Sequence, residues 1–318
     1  MSITCHRSEL RKMPTRIKFD GQKQRLAPRT SAFLGRWSAL KRIQIVDFSY
    51  CGIDQAELEH FAEGFCAVEP PQVPGLTFKK VRQLQEINLS HNTDIVSLRH
   101  LARVMDNAPK LEKITIYKCS VKGQSCEELA KAICAQKVDQ KGRVLDRWAH
   151  GSLKYLKLGA MPFGNPIGAR GACYLADALA IAPHPKFPQT ACLEELYLDS
   201  CEVHDEGAER FGEALKMNKT LKVLSLKANE ISDTGMVQLS ACFRNNVSLK
   251  LVALDHNAAT NRGAIVVANN MSVNKNSALI VTLKDQRPKD FASGNVTHTI
   301  TNEVKVKCLE LSRNRLDI

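Results

Sequence analysis

An apolar pattern recurs along this 318-residue chain from residue 43 to its end. It has the form L-x-x-L-x-L-x-x-N/C, in which L is an apolar residue and x is any residue. The copies begin at residues 43, 84, 111, 153, 193, 221, 249, 278 and 306, of which those at 153, 278 and 306 are the weaker ones. Most copies start 27–29 residues apart, whereas three intervals of 40–42 residues contain insertions. Such a fixed period predicts a solenoid, because each repeat can bury its apolar face only against its neighbours.

Each repeat contains two different spacings of apolar residues. The L-x-L segment alternates like a strand, and the residues after it follow the spacing of an amphipathic helix. In the copy that begins at residue 193, Ala208, Phe211 and Leu215 fall on one helical face, and Glu206 and Glu209 fall on the other. The sequence therefore predicts an α/β horseshoe of about nine repeats, with a parallel β-sheet on the concave face and helices on the convex face.

The residue that closes the pattern is predicted to turn inward after each strand. An asparagine there can satisfy backbone groups of the turn, and the loss of such a bond costs roughly 1–3 kcal/mol. Cys51, Cys119 and Cys201 occupy this position, which favours a structural role for their thiols over a reactive one. Met161 occupies it in the weaker copy that begins at residue 153.

The 28-residue unit, together with the helix motif G-A-x-x-L-A-x-A-L at residues 171–179, resembles the ribonuclease-inhibitor class of leucine-rich repeats. The resemblance covers residues 43–318 apart from the insertions, and it implies a fold, not one function. The class includes ribonuclease inhibitor, Ran GTPase-activating proteins, sensor domains of immune receptors, actin-capping tropomodulins, and centrosomal and axonemal components. Ran GTPase-activating proteins usually carry an acidic tail after the repeats, whereas the excess charge of this chain is basic.

The sequence contains no pattern typical of a catalytic or metal site. The phosphate loop G-x-x-x-x-G-K-S/T, the G-x-S-x-G elbow and the H-E-x-x-H helix are missing, and the eleven cysteines include no C-x-x-C pair. We therefore predict a protein that is not an enzyme and uses no cofactor, metal or small-molecule substrate. Without an apolar run long enough for a membrane span or a secretory signal, we also expect reduced thiols and a cytoplasmic location.

The net charge of +12 belongs mainly to the first 42 residues, which hold eleven Lys or Arg and only two acidic residues. We predict that residues 1–42 form a basic arm and residues 43–318 the repeat domain. The favoured hypothesis is an anchor for an acidic surface such as tubulin, an acidic protein or RNA. The alternatives are a mitochondrial transit peptide and a disordered tail. The candidate contact residues of the arm are Arg7, Arg11, Lys12, Arg16, Lys18, Arg25 and Arg29.

Side chains that alternate with the buried strand leucines should line the concave face. Three of the five tyrosines of the chain fall there on adjacent strands. Tyrosine combines a large apolar area with a hydroxyl group and is enriched at interface hot spots, so we predict that this patch binds a protein partner. Ordinary cross-strand packing is the alternative. The predicted binding residues are Tyr117, Tyr155, Tyr197, Lys157 and Glu195, with Lys113 and Asp199 beside them.

The insertions near residues 66–81, 135–151 and 181–192 are the other candidates for binding. Each precedes a strand, so all three should emerge along one edge of the horseshoe. Trp148 lies in a basic insertion and is either an interface anchor or a residue that folds back onto the neighbouring helix.

The last predicted strand, residues 306–314, has no helix after it. Solenoid ends normally need a cap, so we expect a partner chain or the basic arm to cover this edge.

Taken together, the sequence favours a non-enzymatic scaffold or structural subunit of a cytoskeletal, centrosomal or ciliary assembly. The alternatives are a regulator of a small GTPase that resembles the Ran-activating family, and an RNA- or ribosome-associated subunit.

Overall fold

The computed structural model describes residues 16–18, 28–40, 43–67, 83–134, 137–138, 144–146, 153–180, 193–274, 278–286 and 296–300. The strands are β1 (Arg16–Lys18), β2 (Ile45–Asp47), β3 (Glu86–Asn88), β4 (Lys113–Thr115), β5 (Lys137–Val138), β6 (Val144–Asp146), β7 (Tyr155–Gly159), β8 (Glu195–Leu198), β9 (Val223–Ser225), β10 (Leu251–Ala253), β11 (Ile280–Gln286) and β12 (Val296–Ile300). Within the described residues, strands and helices alternate along the chain, except that β5, β6 and β7 follow one another and β12 follows β11.

The helices are α1 (Pro28–Leu40), α2 (Gln55–Cys66), α3 (Arg99–Asp106), α4 (Gly123–Cys134), α5 (Gly168–Ala180), α6 (His204–Met217), α7 (Asp233–Ser240) and α8 (Asn261–Val273). A short 3₁₀ helix, Ala241–Arg244, extends α7. Successive helices pack against each other in chain order, so the helical layer follows the order of the sheet.

One ten-stranded sheet runs through the described residues in the order β1-β2-β3-β4-β7-β8-β9-β10-β11-β12. Its first nine strands are parallel to their neighbours, and β12 pairs with β11 antiparallel. Equivalent positions of the repeats face each other, so Ile87, Ile114 and Leu156 lie side by side. This topology confirms the predicted α/β leucine-rich-repeat solenoid.

The core lies between the sheet and the helices. The apolar positions of the repeat pattern, such as Leu196, Leu224 and Val252, are completely buried. The helical faces supply the other half of the core, with Phe211 and Leu215 of α6 fully buried as the sequence predicted. Burial of apolar area from both layers is what holds neighbouring repeats together.

Two stretches of the predicted basic arm belong to the solenoid. β1 pairs with β2 in parallel, and the guanidinium of Arg16 forms an ion pair of 3.0 Å with the carboxylate of Asp47. α1 crosses α2 so closely that a Cβ atom added to Gly64 would lie 2.1 Å from the carbonyl oxygen of Ala32. These stretches thus form a strand-helix unit ahead of the first predicted repeat, not part of a separate arm, because their backbones pair and pack with β2 and α2.

A ladder of buried polar side chains follows the ends of the strands, as the pattern predicted. The Asn257 amide donates to the carbonyl oxygens of Leu226 and Leu254, each 2.9 Å away, and its side-chain oxygen accepts from the backbone of the preceding repeat. The thiol of Cys119 donates to Leu89 and that of Cys201 to Leu158, again across to the preceding repeat. The side chain at this position therefore joins consecutive turns of the solenoid.

The prediction for Met161 is wrong. The side chain that continues the ladder is Asn165, which is fully buried and donates to the carbonyl oxygens of Ile116 and Leu158 at 2.7 and 2.8 Å. Residues between them form a small loop closed by a bridge between Ala160 and Phe163. The loop displaces the ladder position by four residues and leaves Met161 41% exposed.

The predicted strand at residues 306–314 lies outside the described residues. Here β12 covers the free edge of β11 by antiparallel pairing. The last parallel strand is therefore covered by a segment of the same chain.

Candidate functional site

Three tyrosines, Tyr117, Tyr155 and Tyr197, meet on the concave face of the sheet. β4, β7 and β8 are direct neighbours, and this register places Tyr155 beside Glu195 and Lys157 beside Tyr197. The rings of Tyr155 and Tyr197 lie 5.2 Å apart between centroids, with 39° between their planes. The alternation of side chains along the strands thus brings together the residues that the sequence singled out.

Lys157 lies between two of these rings. Its Nζ atom is 5.2 Å from the ring centroid of Tyr117 and 5.7 Å from that of Tyr197. Lys113 makes the equivalent contact with Tyr155 at 5.3 Å. An ammonium group over an aromatic face is attracted by the ring quadrupole, so these contacts stabilise the positions of the lysine side chains. We call Tyr117, Tyr155, Lys157 and Tyr197 the concave cluster.

The phenols of the concave cluster are held in the protonated state. Burial, followed by the charge of Glu195, raises the pKa of Tyr155 to about 12. Burial also raises the pKa of Tyr197, whose hydroxyl donates a hydrogen bond of 2.7 Å to Glu195. Burial likewise raises the pKa of Tyr117. At neutral pH the cluster therefore offers neutral rings and hydrogen-bond donors.

Asp199 lies at the side of the concave cluster that faces β9. Its carboxylate accepts hydrogen bonds of 2.5 Å from the Ser225 hydroxyl and 3.1 Å from the Lys227 backbone. Burial raises its pKa, although the bond from Ser225 acts in the opposite direction. The side chain of Lys227 pairs instead with Asp255 at 3.2 Å. These polar groups satisfy one another, so the aromatic side of the cluster is the part that remains available.

A second set of aromatic groups lies on the rim of the sheet, where the strands end. The turn residue just before the ladder position has positive φ in most repeats, as in Tyr50, His91 and Lys118. The rings of Tyr50 and His91 stack at 3.8 Å, with 16° between their planes. This conformation is unusual for residues other than glycine, asparagine and aspartate. It points these side chains along the rim.

Phe163, from the loop after β7, completes this group. Its ring lies 6.3 Å from that of His91, and the Nζ atom of Lys118 lies 3.9 Å from its centroid. Tyr50 and Phe163 are 54% and 43% exposed. We call Tyr50, His91, Lys118 and Phe163 the rim cluster. The sequence did not predict this cluster, because positive φ and the loop interrupt strand alternation.

The other predicted site residues are not brought to these clusters by the described part of the chain. Arg29 is exposed on α1, and Arg16 and Lys18 are exposed on the first strand. Trp148, Arg7, Arg11, Lys12 and Arg25 lie outside the described residues, as does the insertion at 181–192 and most of those near 66–81 and 135–151.

Among the described residues, no group of three or more histidine, cysteine, aspartate or glutamate side chains could hold a metal ion. No described helix is long and apolar enough to cross a membrane.

Comparison with known proteins gives matches to leucine-rich repeats. Residues 191–212 and 218–240 match the family described as Leucine Rich repeat. These stretches contain β8, the first part of α6, β9 and α7. No curated protein sequence matches the chain.

Three solved structures with a similar chain course are distant in sequence. Actin-binding site 2 of leiomodin-1 has 15% identity and a TM-score of 0.32, over 47% of this chain and 76% of its own. TLR13 in its complex with ssRNA13 has 15% identity and a TM-score of 0.40, over 88% and 34%. An internalin from Listeria monocytogenes has 14% identity and a TM-score of 0.36, over 81% and 66%. The repeat match and the sheet topology together make this chain a leucine-rich-repeat solenoid.

Proposed function

We propose that this chain is a non-enzymatic protein-binding module that holds a partner on its concave face. The observation that carries the proposal is the concave cluster, in which two tyrosine rings contact each other and a lysine lies against two rings. Partly exposed aromatic side chains on a rigid sheet lose little conformational entropy when a partner covers them. They are therefore suited to serve as interface hot spots.

Hydrogen bonding supports the same proposal. Among the described residues, the hydroxyls of Tyr117 and Tyr155 have no hydrogen-bond partner, whereas that of Tyr197 donates to Glu195. A protein backbone provides carbonyl oxygens that such hydroxyls can bind. Packing alone would not require hydroxyl groups at these positions.

We further propose that the repeats belong to the ribonuclease-inhibitor class, since helices of 8–14 residues follow the strands on the outer side. The proposed setting, a cytoplasmic scaffold within a cytoskeletal, centrosomal or ciliary assembly, rests on that resemblance.

The test is affinity purification of the full chain followed by quantitative mass spectrometry. The double variant Tyr155→Ala/Tyr197→Ala should reduce the recovery of at least one protein by about tenfold, because loss of a hot-spot ring costs at least that factor in affinity. Val237→Ala is the matched control, since Val237 is exposed on α7, away from the cluster. If the double variant recovers every protein at wild-type level while folded, the proposal is wrong.

A further inference from the structure

We propose that the binding surface continues from the concave cluster over the rim cluster, and that it accepts an acidic peptide segment carrying an aromatic residue. The proposal rests on the proposed function and specifies the chemistry of the partner. It adds four residues, each from the turn or loop after a different strand, to the surface. None of them belongs to the tyrosine patch predicted from the sequence.

The two clusters are physically continuous. The ring of His91 stacks on Tyr50 and meets the edge of Tyr117, with centroids 5.1 Å apart. Tyr117 in turn contacts the ammonium group of Lys157. A partner that covers Tyr155 and Tyr197 can therefore follow a row of rings, bridged by Lys157, to the rim.

The exposed ends of the row are apolar. Tyr50 and Phe163 are each about half exposed, and Met161 beside Phe163 is exposed as well. The other described repeats lack the loop that bears Phe163, because their ladder residue comes three positions after the last buried strand position, as Asn92 does after Leu89. It adds apolar area at one place along the rim, next to His91. An aromatic side chain of a partner would bury this area against several rings at once.

The charge of the surface argues for an acidic partner. Four other lysines beside the sheet pair with carboxylates: Lys113 with Glu86, Lys154 with Glu112, Lys222 with Glu194, and Lys227 with Asp255. By contrast, Lys118 and Lys157 contact aromatic rings and form no ion pair within the described residues. Both ammonium groups are thus available to a carboxylate of a bound segment.

The same charges disfavour a nucleic acid. Binding to a phosphate backbone needs many cations along its path and depends on the release of counterions. Three carboxylates lie near the concave cluster, close enough to Tyr155 to act on its hydroxyl, and they would repel successive phosphates: Glu86, Glu195 and Asp199. A peptide can place carboxylates at two points only. The geometry therefore favours a peptide over RNA.

Selection from a display library of random peptides tests the proposal with the full chain as bait. We expect enrichment of sequences that contain Asp or Glu together with Trp, Phe or Tyr. The affinity of an enriched synthetic peptide should fall by about tenfold in Phe163→Ala and in the double variant Tyr50→Asn/Lys118→Asn, as expected for hot-spot contacts. Asparagine tolerates positive φ, so the latter changes keep the turn conformation.

The control variants are Val247→Ala and Lys250→Ala, which remove an exposed apolar side chain and an exposed lysine outside the surface. Both should bind the peptide like the wild type. Enrichment of basic peptides, or of none, would overturn the proposal. So would binding of a single-stranded RNA oligonucleotide that exceeds peptide binding and is lost in the same rim variants.

The effect of each set of variants on peptide affinity distinguishes this inference from the proposed function. If enriched peptides lose affinity in Tyr155→Ala/Tyr197→Ala but not in the rim variants, the concave face binds protein and the extension over the rim is wrong. If both sets of variants leave binding unchanged, both proposals fail.

Discussion

The side-chain amide of Asn165 donates a hydrogen bond of 2.7 Å to the carbonyl oxygen of Ile116, and so ties the turn after β7 to the turn after β4. Its side-chain oxygen accepts a bond of 3.0 Å from the backbone of Cys119. One buried side chain thus satisfies backbone groups of two repeats.

Asn165→Ala should therefore lower the free energy of unfolding by about 3 kcal/mol, because each buried polar group left unsatisfied costs roughly 1–3 kcal/mol. Urea denaturation measures the change. The matched control is Met161→Ala, which should change stability by less than about 0.5 kcal/mol because its side chain is exposed. Equal effects of the two substitutions would mean that Met161 holds the ladder position after all.

The ion pair between Arg16 of β1 and Asp47 of β2 should make the free energy of unfolding vary with pH in the acid range. Burial acts to raise the pKa of Asp47, but hydrogen bonds from Ser49 and Arg16 outweigh it and hold the pKa below the ordinary value of 3.8. Because the folded-state pKa is the lower one, the stabilisation is complete above 3.8 and is lost as the pH falls through the folded value. The stability difference between wild type and Asp47→Asn should shrink over that acid range. A difference that is constant with pH would contradict this assignment.

The close crossing of α1 and α2 can be tested by adding one methyl group. Gly64→Ala would place a carbon 2.1 Å from the carbonyl oxygen of Ala32, so the helices must move apart. We expect a loss of about 1–3 kcal/mol, as for other overpacked sites, and faster hydrogen exchange in residues 28–40. Glu63→Ala, at the exposed neighbouring position, should leave exchange in α1 unchanged. Slow exchange in both variants would show that α1 does not depend on this contact.

Buried thiols should resist alkylation in the folded protein. Burial raises the pKa of Cys119 to about 11, and those of Cys126 and Cys242 to about 12. Only the thiolate reacts at an appreciable rate, so iodoacetamide at pH ~8 should label the partly exposed Cys66 before these three. Peptide mass spectrometry with and without denaturant resolves the order. Native labelling of Cys119 as fast as that of Cys66 would be the contrary outcome.

By itself, the sequence determined the repeat and much of the sheet. Apolar alternation and the period of about 28 residues located the strands from β2 to β11 other than the small β5–β6 pair, because every repeat buries the same positions. The alternation also predicted that Tyr117, Tyr155 and Tyr197 would share one face. Both features are local and repeated, so the pattern along the chain is sufficient to predict them.

The tertiary structure decided the features that depend on long-range partners or on single turns. β1 has only three residues and no repeat pattern, and its pairing with β2 defines it as a strand. A loop of unusual length moved the ladder position from Met161 to Asn165. Turns with positive φ brought Tyr50 and His91 into contact on the rim. Alternation along a strand contains no information about such turns, because their direction is set by backbone bonds to the neighbouring repeat.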